Sequence, residues 1–240
     1  MSLVLTVKIL AVDSSGQVAS AAVLTENELV AEYSVDYKKT HSQTLLPMID
    51  ELLKMTETKG EELTAIAVAK GPGSFTGLRI GASTVKGLGM VWNVPIIPVS
   101  TLLGLAGRLA GTEELICPLM DARRQQVYTG IYDLSGSTDV EYMADCCVEL
   151  DSVLAKINEL GRKTVFLGDG VAVCRDRIAE LVTVPYRFAP IHQRKQSAAA
   201  VGYMALSLWN EGKTVSAMEF TPEYLRASQA EREREERLGH

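Results

Sequence analysis

Residues 65–89 read Ala-Ile-Ala-Val-Ala-Lys-Gly-Pro-Gly-Ser-Phe-Thr-Gly-Leu-Arg-Ile-Gly-Ala-Ser-Thr-Val-Lys-Gly-Leu-Gly. The apolar run Ala65 to Ala69 has the character of a strand covered on both faces. Gly71, Pro72 and Gly73 break that strand and admit backbone shapes that a Cβ resists. Ser74 or Thr76 stands where a helix N-cap is expected. Strand, glycine turn and helix in that order put unpaired backbone N–H groups at a helix start, where anions and partner chains both bind.

Two functional readings of this loop stay open. The first is phosphate binding, with Gly71, Gly73 and Ser74 as the candidate cradle. Their spacing with Gly77 fits neither G-x-G-x-x-G nor Walker A, since no Lys-Ser/Thr follows the last glycine. The second lies in the helix, where Leu78, Ala82, Val85 and Gly89 share one stripe, with Gly81 beside it and Gly87 near its end. Each interior glycine costs about 1 kcal/mol of helix propensity against alanine. Another backbone packed close would account for that cost, from a neighbouring helix or from a second protein. Thr76, Leu78, Gly81, Ala82, Val85 and Gly89 are therefore the candidate partner face.

Upstream, Val7 to Val12, Val18 to Leu24 and Leu29 to Val35 read as an antiparallel meander with short connections. A helix follows from about Ser42 to Met55, with Leu45, Ile49, Leu52 and Leu53 on one face. Pro47 argues that this helix begins no more than about a turn earlier. After the glycine loop and its helix come a strand, Val94 to Val99, and a helix, Thr101 to Ala110, capped by Ser100. The order β-β-β-α-β-α-β-α is that of a ribonuclease-H-like unit. The second half repeats it in outline: Leu115 to Met120 runs into Asp121 as the first strand runs into Asp13. The strand Val127 to Leu134, one within Val140 to Leu150, a helix near Ser152 to Leu160, the strand Thr164 to Leu167 and helices near Ala172 to Leu181 and Ser197 to Glu211 continue it. We place the domains at 1–108 and 109–228, with residues 229–240 as a charged tail expected to fray or be disordered.

The 240 residues suffice for one large domain or two modest ones. The net charge of −6 opposes a phosphate backbone. No stretch is long and apolar enough to span a bilayer, and the N-terminus lacks a signal-peptide layout. The four cysteines, Cys117, Cys146, Cys147 and Cys174, form no C-x-x-C pair and read as reduced thiols in a cytoplasmic protein. Asp13, followed by Ser14, Ser15 and Gly16, is either a turn-capping residue or a candidate ligand beside a phosphate and its magnesium. The only histidines are His41, His192 and His240, and no two are spaced to share a metal. No Ser-His-Asp, Cys-His or H-E-x-x-H arrangement emerges either.

The loop Gly71-Pro-Gly-Ser-Phe-Thr-Gly-Leu-Arg-Ile-Gly81 resembles the signature of the TsaB family, formerly YeaZ. The resemblance extends to residues 9–15, His41-Ser42 with Leu45-Leu46-Pro47, and Asp121-Ala122-Arg123-Arg124 with Tyr128. It continues through Gly168-Asp169-Gly170 and Pro222-Glu223-Tyr224-Leu225-Arg226, and so covers most of the chain. It implies an actin-like ATPase (ASKHA) fold, two ribonuclease-H-like domains each with a mixed five-stranded sheet flanked by helices. It also implies a non-catalytic subunit of the bacterial machinery that makes threonylcarbamoyladenosine at position 37 of tRNA. The implied partners are the catalytic subunit TsaD and the ATPase TsaE, with a homodimer when TsaD is absent and tRNA held mainly by partners. TsaD binds its metal through an H-x-x-x-H pair that has no counterpart here. No cofactor is implied beyond ATP or ADP with magnesium at a partner interface. The rival reading is a free-standing ATPase or phosphotransferase of the actin/hexokinase type.

Overall fold

The computed structural model describes residues 6–37, 40–123, 126–136 and 138–226. The first half comprises strands β1 (Lys8–Asp13), β2 (Ala19–Thr25), β3 (Leu29–Val35), β4 (Ala65–Gly71) and β5 (Ile96–Ser100). Helices α1 (His41–Met55), α2 (Phe75–Trp92) and α3 (Thr101–Ala106) accompany them. The second half holds β6 (Leu115–Asp121), β7 (Gln126–Asp133), β8 (Val140–Glu149), β9 (Thr164–Leu167) and β10 (Tyr186–Phe188), with α4 (Leu150–Leu160), α5 (Val171–Leu181) and α6 (Ala198–Asn210).

Each half builds one five-stranded mixed sheet, ordered β3-β2-β1-β4-β5 and β10-β9-β6-β7-β8. Counted within its own half, the second order is the mirror listing of the first, so both halves share one topology. In each, a three-strand antiparallel meander is extended by parallel strands reached through helices. The duplication that the strand-then-Asp starts hinted at is thus present in the whole strand order.

The period-two alternation of the strands explains the layering. Leu10, Val12, Ile66 and Val68 face outward onto α1 and α2 with Leu45, Ile49, Leu52 and Val85. Ile9, Ala11, Ala65 and Ala67 face inward, where they join α3, α6 and the inner residues Ile116, Met120, Val165 and Leu167 of the second sheet in one core. Leu115, Cys117, Leu119 and Phe166 point the other way, onto α4 and α5. The middle layer, α3 with α6, therefore belongs to both sheets. Helix α6, encoded in the second half, packs chiefly on β1, β2 and β5 of the first sheet.

Polar contacts fasten this middle layer. Glu32 of β3 accepts hydrogen bonds from Ser197 Oγ (2.6 Å) and Ala199 N (3.1 Å), placing a carboxylate on the N-terminus of α6. Ser100 and Tyr132 both donate to Asp145, joining the end of the first sheet to the second. Burial pushes the Tyr132 phenol well above its usual value, and the neighbouring carboxylate adds to that.

Some local expectations shift. Helix α1 begins at His41, six residues before Pro47, which is further back than proline alone suggested. Pro47 is exposed, so water can serve the carbonyl that its missing N–H leaves free. The helix predicted over Thr101 to Ala110 is α3 followed by a 3-10 turn, Gly107–Leu109. The three-residue β10 was not read from the sequence at all. The charged tail from Gln229, Arg124 and His240 lie outside the described residues.

The glycine loop, the inter-lobe cleft and the outer face of α2

Ser74 caps α2, its Oγ accepting from Gly77 N at 3.3 Å. Immediately behind the cap lies the turn that follows β1. Ser74 N donates to Ser15 O at 2.7 Å, and Ser14 Oγ donates to Gly77 O at 2.8 Å. A Cβ on Gly73 would clash with the carbonyl of Ser15, and one on Gly77 with the carbonyl of Ser14. On Gly81 it would strike the Ser14 hydroxyl. The close backbone approach that these glycines permit is made by the chain's own residues 14–15, not by a neighbouring helix. Gly71, at φ +128°, is likewise covered, by the carbonyl of Glu223.

The candidate ligand Asp13 is turned inward. It is 1% exposed, and its Oδ1 accepts from Ser15 N at 2.8 Å and Ser15 Oγ at 2.6 Å. Its Oδ2 is buried and has no hydrogen-bond partner among the described residues. Burial pushes the carboxyl up to about 6, although the Ser15 bonds and the charge of His41 favour the ionised form. His41 itself hydrogen-bonds Gly16 O through Nε2 at 2.8 Å. Asp13 is thus a turn-forming carboxylate beneath the loop rather than a group presented to the cleft.

That cleft, about 660 Å³, opens between the two sheets. Gly73, Ser74, Phe75, Tyr128, Asp121, Arg123, Asp169 and Arg226 are among its lining residues. Burial raises the Asp169 carboxyl. Gly168 to Gly170 form a tight turn against β6, with Gly170 N bonded to Leu119 O at 2.9 Å. Among the described residues no three His, Cys, Asp or Glu side chains converge as a metal site.

Helix α2 has two faces. Leu78, Gly81, Ala82, Val85 and Gly89 are buried under the chain itself, with Gly89 against Ala217 and Ile96. Of the six positions predicted as a partner face, Thr76 alone is exposed. The outward stripe is the opposite one: Thr76, Ser83, Gly87 and Met90, with Val91 at its end. A Cβ on Gly87 would meet nothing within 4 Å. Met90 is 59% and Val91 78% exposed, and on the neighbouring α1 Leu46 is 53% and Met55 68% exposed.

The protein-family model described as TsaD, tRNA N6-adenosine threonylcarbamoyltransferase, matches residues 28–234. The tRNA threonylcarbamoyladenosine biosynthesis protein TsaB of Bacillus subtilis is 32% identical over 93% of this chain and 96% of its own length. The chain belongs to the TsaB family. The TsaB protein of Escherichia coli K12 is 29% identical over 91% of this chain and 94% of its own. Among solved structures, a Pseudomonas aeruginosa protein described as similar to peptidase YeaZ superposes with a TM-score of 0.80 at 27% identity. It covers 92% of this chain and 100% of its own. A ROK hexokinase from Thermus thermophilus, at 10% identity and a TM-score of 0.50, shares the fold, which is that of the actin-like ATPases.

Within this TsaB-family chain, five of the six positions that the sequence offered as a partner face are buried, and the solvent side of α2 is the opposite one. Gly87, read from the sequence as lying near the end of the stripe, is on the solvent side, and a Cβ there would meet nothing within 4 Å among the described residues. The motif Pro222 to Arg226 acquires a place as well: it lies across the glycine loop, with Tyr224 stacked on Phe75 at 4.2 Å between centroids.

Proposed function

We propose that this chain is a non-catalytic subunit in threonylcarbamoyladenosine biosynthesis on tRNA, serving as the scaffold for a TsaD-type transferase. The observation that carries the reading is the outward stripe of α2. A glycine in an exposed helix interior costs about 1 kcal/mol and is accounted for by no contact within the chain. A partner helix packed against Gly87 would account for it, and the exposed Met90 and Val91 further along α2, with Leu46 and Met55 on α1, supply apolar area. Membership of the TsaB family supports the pathway, and the relatives carry the same name.

The catalytic burden falls on the partner. The family model's description is that of the transferase, yet this sequence has no paired histidines to hold the metal that TsaD is expected to bind. The same apolar face would pair two copies of this chain when TsaD is absent. A TsaE-type ATPase and the tRNA would then be met by the assembled complex, consistent with the net charge of −6. The direct test is light scattering on size-exclusion fractions of this chain alone and mixed with TsaD from its own organism. A species with one copy of each supports the reading; two non-interacting peaks would end it.

The inter-lobe cleft favours the second reading, an ATPase or phosphotransferase. It predicts thermal stabilisation of the isolated chain by ATP with magnesium. Ligand at 100 times its dissociation constant adds about 2.7 kcal/mol. The scaffold reading predicts no shift.

A further inference from the structure

After α6 the chain does not leave the molecule. Residues 213–226 run back across the first sheet and end at the second. Val215 pairs with Ile96, each amide donating to the other's carbonyl at 2.9 Å. Ala217 fills the space over Gly89, and Phe220 is buried in the outer core beside Leu45 and Val85. The Lys86 ammonium of α2 donates to Met218 O and Phe220 O, both at 2.9 Å. Glu223 N donates to Lys70 O at 2.7 Å, its carboxylate pairs with Lys70 at 2.5 Å, and its carbonyl covers Gly71. Tyr224 stacks on Phe75, whose ring also lies 4.3 Å from the Arg79 guanidinium. Arg226 then crosses the cleft to Ala122 O at 2.9 Å.

The earlier of these contacts hold β5 and the C-terminal half of α2, and the later ones, from Glu223, Tyr224 and Arg226, fall on the glycine loop with the first turn of α2 and on the cleft. Little else in the strap is buried, since Met218, Glu219 and Glu223 are exposed. A segment held by a few discrete anchors detaches as one piece below the global unfolding threshold. We propose that residues 213–226 form a detachable clamp that couples the inter-lobe cleft to α2. Docked, it fixes the Gly71–Phe75 loop and the start of α2. Undocked, it frees that loop and helix turn together while both sheets stay folded. Because Tyr224 and Arg226 line the cleft, whatever moves the lobes or enters between them acts on α2 through the clamp. The clamp is independent of which partner, if any, binds α2.

Hydrogen exchange on the full chain tests this. Tyr224→Ala removes the stack at a half-exposed position. The expected result is exchange at least tenfold faster for Glu223, Ser74, Gly77 and Leu78 amides, with α4 and α5 unchanged. Faster exchange confined to residues 222–226 would overturn the coupling, and a uniform rise across both halves would overturn the local opening. The unmodified chain gives a second check that no folding failure can obscure. In low urea, the amides of Val215, Glu223, Ser74 and Leu78 should merge into one opening with a common free energy and urea slope. Separate openings, or merger only with global unfolding, would contradict the clamp.

Discussion

The Ser14 hydroxyl donates to the backbone carbonyl of Gly77 at 2.8 Å, and the carbonyl of Ser14 occupies the place that a Gly77 Cβ would need. The turn after β1 and the first turn of α2 are therefore in mutual backbone contact. We predict that Gly77→Ala lowers unfolding stability by about 3 kcal/mol, in the range of overpacking a core position. Urea unfolding measures it. A loss under about 0.5 kcal/mol would mean that the two turns do not touch as described. Gly81→Arg falls in the same class, since its Cβ meets Ser14 Oγ, so it damages the fold and cannot serve as a probe of binding.

Asp13 gives a pH signature with a definite sign. Burial pushes its folded carboxyl up to about 6 from the ordinary 3.8, so the folded state holds the proton more tightly than the unfolded one. The associated stability is complete below about pH 4 and is lost as pH rises through about 6. At about 1.4 kcal/mol per unit, the loss is about 3 kcal/mol. Asp13→Asn removes the ionisation. We expect its unfolding free energy, measured by denaturant titration from pH 4 to 7.5, to lack this decline and to exceed wild type at pH 7.5. Parallel profiles for the two proteins would show that Asp13 is not buried as described.

Glu32 links the edge strand β3 to the start of α6 through two bonds, and to β2 through a third from Ser20 Oγ at 3.0 Å, all to one oxygen. Glu32→Ala strands the Ser197 hydroxyl and a helix-terminal amide, while Ser20 keeps Ser34 Oγ as a partner. The expected cost is about 2 kcal/mol, read as a lower urea midpoint at unchanged slope. An unchanged midpoint would remove Glu32 from the account of how α6 is held.

Much of this architecture was legible because its signals are local. The continuous apolar runs Ala65 to Ala69 and Leu115 to Met120 announced strands covered on both sides. Ser74 and Ser100 announced their helices as caps, and both accept the expected amides. What stayed hidden is non-local. A glycine pattern tells that something approaches Gly73, Gly77 and Gly81, but not that it is the loop at Ser14 and Ser15. The parallel strand β10 is three residues long, too short for a period to show. Nothing in Ala198 to Asn210 says that this helix lies on a sheet built some hundred and more residues earlier. The burial of the α2 stripe was hidden for the same reason: its small residues signal a close approach without saying that the approaching backbone is the chain's own.

The central claim is that the outward stripe of α2 holds the transferase subunit, and the most direct measurement is calorimetric titration of TsaD into wild type and into Gly87→Arg. A Cβ at position 87 points into open space, and arginine is the better helix former by roughly 1 kcal/mol, so the variant should fold at least as stably as wild type. The account predicts that its affinity for TsaD falls at least a hundredfold, about 2.7 kcal/mol, while its urea midpoint holds or rises. Equal affinity of the two proteins for TsaD would contradict it.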